Sequence, residues 1–346
     1  MNAHNKSVQT KHKYNSRILP ALMIILIGPA VLFLLMSFSV TKGAAQVPIN
    51  AVWDAFFNFN PDNTQHLIII DLRLPRVVAS ALVGAAFAVS GSVMQGTTRN
   101  PLADSGLMGL NAGAGFALSI CFAFFPGMRY TKIIMVSFAG AALGAGLVNG
   151  IASMRRGGAT PMRLVLAGAA VSSLLAALSQ GIAMYFDVAQ NVMFWTVGGV
   201  AGSNWEQVRI MFPWITGALL GAIALSRSIS LLSLGEDTAK GLGINTTAVN
   251  ILCSFIVLIL AGSAVSVVGA VGFVGLIIPH LARFLVGVDY RWVIPSSAVL
   301  GAVLVVMADL GSRTLNPPFE TPIGALISLV GVPFFLYLAR KQRRAL

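Results

Sequence analysis

The chain has 346 residues, of which 56% are hydrophobic and only 10% charged, and its mean hydropathy is +0.82. That balance excludes a soluble domain with a charged surface. The net charge of +12 does not mark a nucleic-acid binder, because the 23 Lys and Arg residues are scattered among short segments instead of forming one stripe with aromatics.

Crossing a hydrocarbon core of about 30 Å takes about 20 apolar residues as a helix. Runs of this kind fall at 19–40, 77–95, 107–125, 133–154, 164–186, 210–226, 248–271, 273–288, 293–310 and 323–338. They predict an all-α polytopic membrane protein with ten transmembrane helices. Residues 1–17 read as a polar, disordered cytosolic tail, 18–340 as a single transmembrane domain and 341–346 as a basic cytosolic tail. The first run follows basic residues, as a signal peptide would, but no small-residue cleavage site ends it, so it reads as a retained span.

The seventh and eighth runs are nearly continuous, and the tendency of Lys and Arg to stay cytoplasmic decides how to count them. With ten spans and both termini inside, 16 of the 23 Lys and Arg residues lie inside and seven outside. Merging the two runs would move Arg291 and the four basic residues of the C-terminal tail outside, against that tendency.

Within the spans, small residues recur at Gly109/Gly113, Gly140/Gly144 and Gly217/Gly221, a spacing that lets helix backbones approach closely in lipid. Cys121 and Cys253 each lie in an apolar run and read as packing residues. Trp53, Phe56, Phe57, Phe59, Trp195 and Trp205 fall in outside segments and read as an interfacial aromatic belt. His4, His12 and His66 are scattered without ligand spacing, so no metal site is assigned.

Three stretches carry more specific information. The first is Asp71-Leu72-Arg73-Leu74-Pro75-Arg76, followed by the small-residue stretch 84–91, Gln95 and Arg99-Asn100-Pro101-Leu102-Ala103-Asp104, then Gly109 and Gly113-Ala114. The second is Gly272-Phe273-Val274-Gly275-Leu276-Ile277-Ile278-Pro279-His280-Leu281-Ala282-Arg283. The third runs from Ala308-Asp309 through Arg313 to Pro322-Ile323-Gly324 and Gly331-Val332-Pro333-Phe334-Phe335. In this order and spacing they resemble the FecCD family, the permeases of ATP-binding-cassette importers for iron-siderophores, haem and cobalamin. One departure stands at Ser105, where proline commonly follows in the family, which predicts a less rigid turn.

The resemblance implies a type II importer permease in a bacterial plasma membrane. It would work with a second permease subunit, the same or similar, two ATPase subunits below and an extracytoplasmic binding protein above. Ferric siderophores are the expected cargo, with haem or cobalamin as alternatives. No Gly-x-x-x-x-Gly-Lys-Ser/Thr phosphate loop occurs, so no nucleotide site or cofactor is assigned to this chain and ATP belongs to the partner subunits.

Residues 230–245 resemble the family's coupling segment. Glu236 and Asp237 favour a helix start, Ala239 and Leu242 are placed on one face, and Gly241 and Gly243 end the helix; Gly235 precedes it. The alternative is a loop on the lipid surface. Arg73, Arg76 and Arg313 are expected as exposed cations at outer span ends, where the resemblance implies docking of the binding protein; headgroup snorkelling is the other reading. Asn100 and Leu102, with residues 158–162 including Pro161 and Met162, are candidates for a cytoplasmic gate.

Asp309 and His280 are the ionisable groups within the membrane, and an Asp there costs about 2.5–3.5 kcal/mol on insertion scales, so both need partners or water. Two isolated groups do not make a proton relay. A structural role is assigned to them and to Pro279, whose missing N–H frees backbone carbonyls beside His280. An ion-coupled secondary transporter would need more intramembrane carboxylates. An intramembrane enzyme would need a Ser/His, His/Glu or paired-carboxylate arrangement, and no catalytic residue is assigned.

Overall fold

The computed structural model describes residues 2–43, 47–154, 161–197, 199–317 and 319–343, and every regular element among them is helical. In chain order these are α1 (Asn2–Thr41), α2 (Ile49–Phe57), α3 (Thr64–Leu67), α4 (Leu74–Thr98), α5 (Leu110–Phe124), α6 (Tyr130–Ser153) and α7 (Pro161–Tyr185). They continue as α8 (Ala189–Val197), α9 (Trp205–Ser233), α10 (Glu236–Gly241), α11 (Thr246–Val268), α12 (Val274–Val286), α13 (Tyr290–Thr314) and α14 (Ile323–Arg343). A π-helical turn, Ile68–Arg73, joins α3 to α4.

Among the described residues, seven stretches are long and apolar enough to cross a membrane: Ile18–Thr41, Thr64–Thr98, Tyr130–Ser153, Met162–Tyr185, Trp205–Ser233, Thr246–Val268 and Tyr290–Thr314. The third, eighth and tenth of the expected spans form the shorter apolar helices Leu110–Phe124, Val274–Val286 and Ile323–Leu336. The near-continuous run splits as expected, at Gly269 (φ +74°) and Phe273 (φ +67°). A Cβ at Gly269 would lie 2.6 Å from the Thr196 carbonyl oxygen, so both the backbone conformation and the close approach demand glycine.

Two boundaries differ from the sequence reading. The helix of the first span runs back to Asn2, where a disordered tail is expected: neither Gly nor Pro interrupts 2–19, and an established helix propagates at one hydrogen bond per residue. The second span starts at Thr64 instead of Val77, because the π-helical turn carries the chain through Asp71 and Arg73 without a break. Such a turn leaves a carbonyl without its usual partner, and the Trp205 indole N–H donates to Ile70 O at 2.7 Å.

Helix α4 is the central element, buried along most of its length against α13, α11, α9 and α12. Lipid offers no hydrophobic drive between helices, so close approach rests on small residues. A Cβ at Gly84 would lie 2.2 Å from Gly301 O on α13, and one at Gly91 would lie 2.0 Å from Gly275 O on α12. Two of the expected glycine pairs face each other across α5 and α6: a Cβ at Gly113 would be 2.2 Å from Gly140 O, and one at Gly144 would be 2.3 Å from Gly109 O. The third does not behave this way, since Gly217 meets nothing within 4 Å and Gly221 meets the Ile256 side chain at 3.4 Å.

Buried polar groups on α4 find partners nearby. Ser80 donates to Arg76 O at 2.8 Å, and Ser92 donates to Ser297 Oγ at 2.9 Å. Arg283 donates to Gln95 Oε1 at 2.6 Å while Gln95 Nε2 donates to Gly275 O at 3.0 Å. The arginine of the Ile277–Arg283 stretch thus ties α12 to α4. Pro279 is buried within α12, and His280 meets the Phe334 ring edge-on at 5.5 Å, joining α12 to α14.

Because Gly84 faces backbone, its extra methyl has no room to yield. Gly84→Ala should lower the unfolding midpoint of the detergent-solubilised protein, through the destabilisation of about 1–3 kcal/mol typical of overpacking, while Gly217→Ala leaves it within error. Equal melting of the two variants contradicts this packing.

Candidate functional site

The two ends of α4 carry the residues of interest. With 25 residues at about 1.5 Å each, the helix separates them by roughly 37 Å. At its first turn, Arg76 Nε donates to Asp309 Oδ1 at 2.7 Å, and its Nη atoms donate to the two carboxylate oxygens of Glu320 at 2.7 and 3.1 Å. The other oxygen of Asp309 accepts from Arg313 Nη2 at 2.7 Å. Asp309 is fully buried on α13, so one carboxylate is shared by two guanidinium groups from two helices.

The remaining donors close the end of α1. Arg313 donates to Ser39 Oγ at 2.6 Å and Lys42 O at 3.1 Å, and Arg73 donates to Val40 O at 2.7 Å. Carbonyls in the last turn of a helix lack intrahelical partners, and the arginines supply them. A cavity of about 430 Å³ opens beside the Arg76–Glu320 pair, lined by Met193, Phe194 and Val197 of α8, by Ser312 and by Ile323.

This geometry corrects one expectation. Arg73, Arg76 and Arg313 are 7%, 7% and 6% exposed, so they are neither free cations on a rim nor side chains snorkelling to headgroups. For Arg76 and Arg313 the physical reason is the pairing, since a guanidinium with an ionised partner and satisfied donors tolerates burial, and Arg73 donates to the Val40 carbonyl. The sequence reading missed Glu320, a lone carboxylate in the loop between α13 and α14, whose pairing with Arg76 spans 244 positions. Exposed cations at this end of the bundle are Arg129, Lys132 and Arg209, at the starts of α6 and α9.

At the other end, Gly235 (φ +134°) turns the chain from α9 into α10, and Gly243 (φ +80°) takes it out. Ala239 is fully buried, whereas Leu242 is 60% and Leu234 67% exposed. Ala239 and Leu242 therefore do not share a face: the helix ends at Gly241, and Leu242 leaves helical geometry with ψ +11°. Glu236 accepts from Lys240 Nζ at 3.1 Å and from Thr246 Oγ1 at 3.2 Å. The Lys240 hydrogen bond and charge, then the Thr246 hydroxyl, hold the Glu236 carboxyl below its ordinary range. Asp237 is exposed.

Between α4 and α5, Asn100 Oδ1 accepts from Leu102 N–H at 3.0 Å, and Ala103 N–H donates to Asn100 O at 3.1 Å. Ser105 does not leave this turn loose, because its hydroxyl donates to Asp104 Oδ1 at 3.2 Å and the Gly106 N–H does so at 3.1 Å. Asn100 lines one small space with Leu164 and Val165, so the loop lies beside the start of α7. Met162 there is exposed, while residues 158–160 and the Pro161 side chain lie outside the described residues.

Comparison with known proteins gives a consistent picture. The chain is 52% identical to the iron(3+)-hydroxamate import system permease of Bacillus subtilis (strain 168), over 99% of this chain and 90% of that protein. It is 39% identical to an iron-uptake system permease of the same organism, over 92% of this chain and 96% of the relative. Its fold superposes on the inward-facing conformation of a metal-chelate type ABC transporter with a TM-score of 0.80 at 29% identity, covering 92% of this chain and 99% of that one. A model of the FecCD transport family matches residues 30–341, and the chain belongs to that family.

Proposed function

We propose that this chain is the membrane-spanning subunit of an ATP-driven importer of ferric siderophores, with ferric hydroxamates as the first cargo to test. The observation that carries the proposal is the 52% identity to a hydroxamate permease across 99% of the chain. The three shorter apolar helices complete ten spans, with both termini in the bacterial cytoplasm and residues 18–340 forming one permease domain. Lys and Arg distribution supports that orientation. The arginine end of α4 then faces outward and α10 faces the cytoplasm.

Two permease copies, or this chain with a similar one, enclose the pathway, and the cavity beside Arg76 and Glu320 opens towards its outer mouth. A binding protein delivers the chelate from outside. Arg73, Arg76 and Arg313 shape the surface it meets from beneath, and the exposed Arg129, Lys132 and Arg209 supply positive charge around it. Two ATPase subunits bind below, where Leu234 and Leu242 offer exposed apolar side chains beside α10. ATP binding and hydrolysis by those subunits move α10 and open or close the path near Asn100, Leu102 and Met162. No cofactor is held by this chain.

The direct test supplies cells lacking and regaining the gene with radio-iron as ferric hydroxamates, ferric catecholates, ferric citrate and haem, and with labelled cobalamin. Restored uptake of a ferric siderophore is the expected result; restored cobalamin or haem uptake with no siderophore effect overturns the cargo.

Asp309 serves in this reading as the anchor of the outer end. Replacing it leaves two buried guanidinium groups short of a partner, a loss of about 3–5 kcal/mol. Asp309→Asn should therefore reduce the yield of folded protein and the melting temperature together. Wild-type melting with lost uptake would instead place Asp309 in the transport step.

A further inference from the structure

We infer that Arg99 is a positioning residue that links the ATPase-facing helix α10 to the loop closing the pathway, through its guanidinium lying over Gly235 and beside Glu236. The inference rests on the reading of α10 as the ATPase contact. Three independent features bring these residues together.

The first is backbone geometry. Arg99 terminates α4 with φ +52°, in the left-handed region that glycine occupies freely and a side chain does not. Helix ends of this kind usually carry glycine at the position, so an arginine there calls for a reason in its side chain. Directly after it comes Asn100, whose side chain organises the turn through Leu102.

The second is where the side chain goes. A Cβ built on Gly235 would lie 4.0 Å from Arg99 Nη1. Gly235 itself holds φ +134° and starts α10, and the guanidinium from the end of α4 sits above that hinge. Arg99 and Glu236 also line one cavity of about 210 Å³, together with Thr97, Thr98, Asn149, Asn250 and Ser254. Such a cavity leaves polar room for these groups to shift against each other.

The third is electrostatic. Glu236 joins α10, through Lys240, to the first residue of α11, through Thr246. After those two partners, the positive charge of Arg99 also favours the ionised carboxyl. Glu236 thus bonds α10 to α11 and lies in the field of Arg99 at the end of α4. When α10 moves with the ATPase, the displacement of Glu236 acts on Arg99 and so on Asn100, the residue that follows it.

The sign of the pH effect follows. A carboxyl held below its ordinary value contributes fully above the unfolded value and loses its contribution as pH falls through the lowered one. Coupling through Arg99 is therefore intact throughout the neutral range.

The test uses the assembled importer in proteoliposomes, loaded with ATP and supplied with the binding protein and the ferric chelate that restored uptake in cells. Iron accumulated and ATP hydrolysed are measured in the same vesicles. Arg99→Gly relieves the left-handed backbone and removes the charge, so it separates the two explanations. If Arg99 links α10 to the gate, iron moved per ATP falls about tenfold in Arg99→Gly, and most of it returns in Arg99→Lys. Combining Arg99→Gly with Glu236→Gln should then cost no more than Glu236→Gln or Arg99→Gly alone. Unaltered iron per ATP in Arg99→Gly, or losses that multiply in the double variant, overturns the inference.

Leu242→Ser distinguishes the underlying reading. If it retains both the ATPase subunits and full uptake, α10 is not the ATPase contact and the inference falls with it. If it loses them while Arg99→Gly transports normally, the contact stands and the link through Arg99 alone is refuted.

Discussion

One buried carboxylate organises the end of the bundle where α4 begins. Asp309 sits fully buried on α13 between Arg76 and Arg313, at 2.7 Å from each. Taking three charges out of water costs several kcal/mol per ion, and attraction recovers that cost only where geometry is good and remaining donors are satisfied. Here they are satisfied by Glu320, Ser39 and the carbonyls of Ser39 and Lys42. The same contacts fix the end of α1 and the start of α4 relative to α13. A proton carrier needs a carboxylate that exchanges partners, and one clamped by two arginines does not suit that task.

From this anchor α4 runs as a rod to the opposite end. Its glycines let α13 and α12 approach to backbone contact, and its serines and Gln95 satisfy themselves within the bundle. A rigid, buried helix with one end locked by ion pairs is suited to hold a fixed frame. At the other end lie the turn at Asn100, which follows Arg99, and the short helix α10, set off from the long helices by Gly235 and Gly243. Exposed leucines flanking α10 and the unburied helix α8 leave apolar surface at both ends.

Hydropathy and the three motif stretches made the helical class and the family legible, and the seventh and eighth apolar runs are two helices, α11 and α12, broken at Gly269 and Phe273. What the chain order hid was pairing at a distance. Arg76 and Asp309 are 233 positions apart, so three arginines at span ends read as exposed cations until their partners are placed. Residue spacing failed at Leu242 because the helix ends one residue earlier, and a three-residue spacing carries meaning only inside a helix. It failed at Gly217 and Gly221 because a small-residue spacing marks a capacity for close approach, and no backbone comes near. Arg99 stood inside a quoted motif, but its left-handed backbone and the approach of its guanidinium to Gly235 exist only in three dimensions.

Coupling to ATP distinguishes an ATP-driven importer from an ion-coupled carrier. The most direct measurement is radio-iron accumulation, as a ferric siderophore, in vesicles holding this permease with its ATPase and binding-protein partners. Accumulation that requires ATP, and that stops when the phosphate-loop lysine of the ATPase is replaced, is the predicted result. Accumulation that persists without ATP and follows an imposed proton or sodium gradient would contradict it.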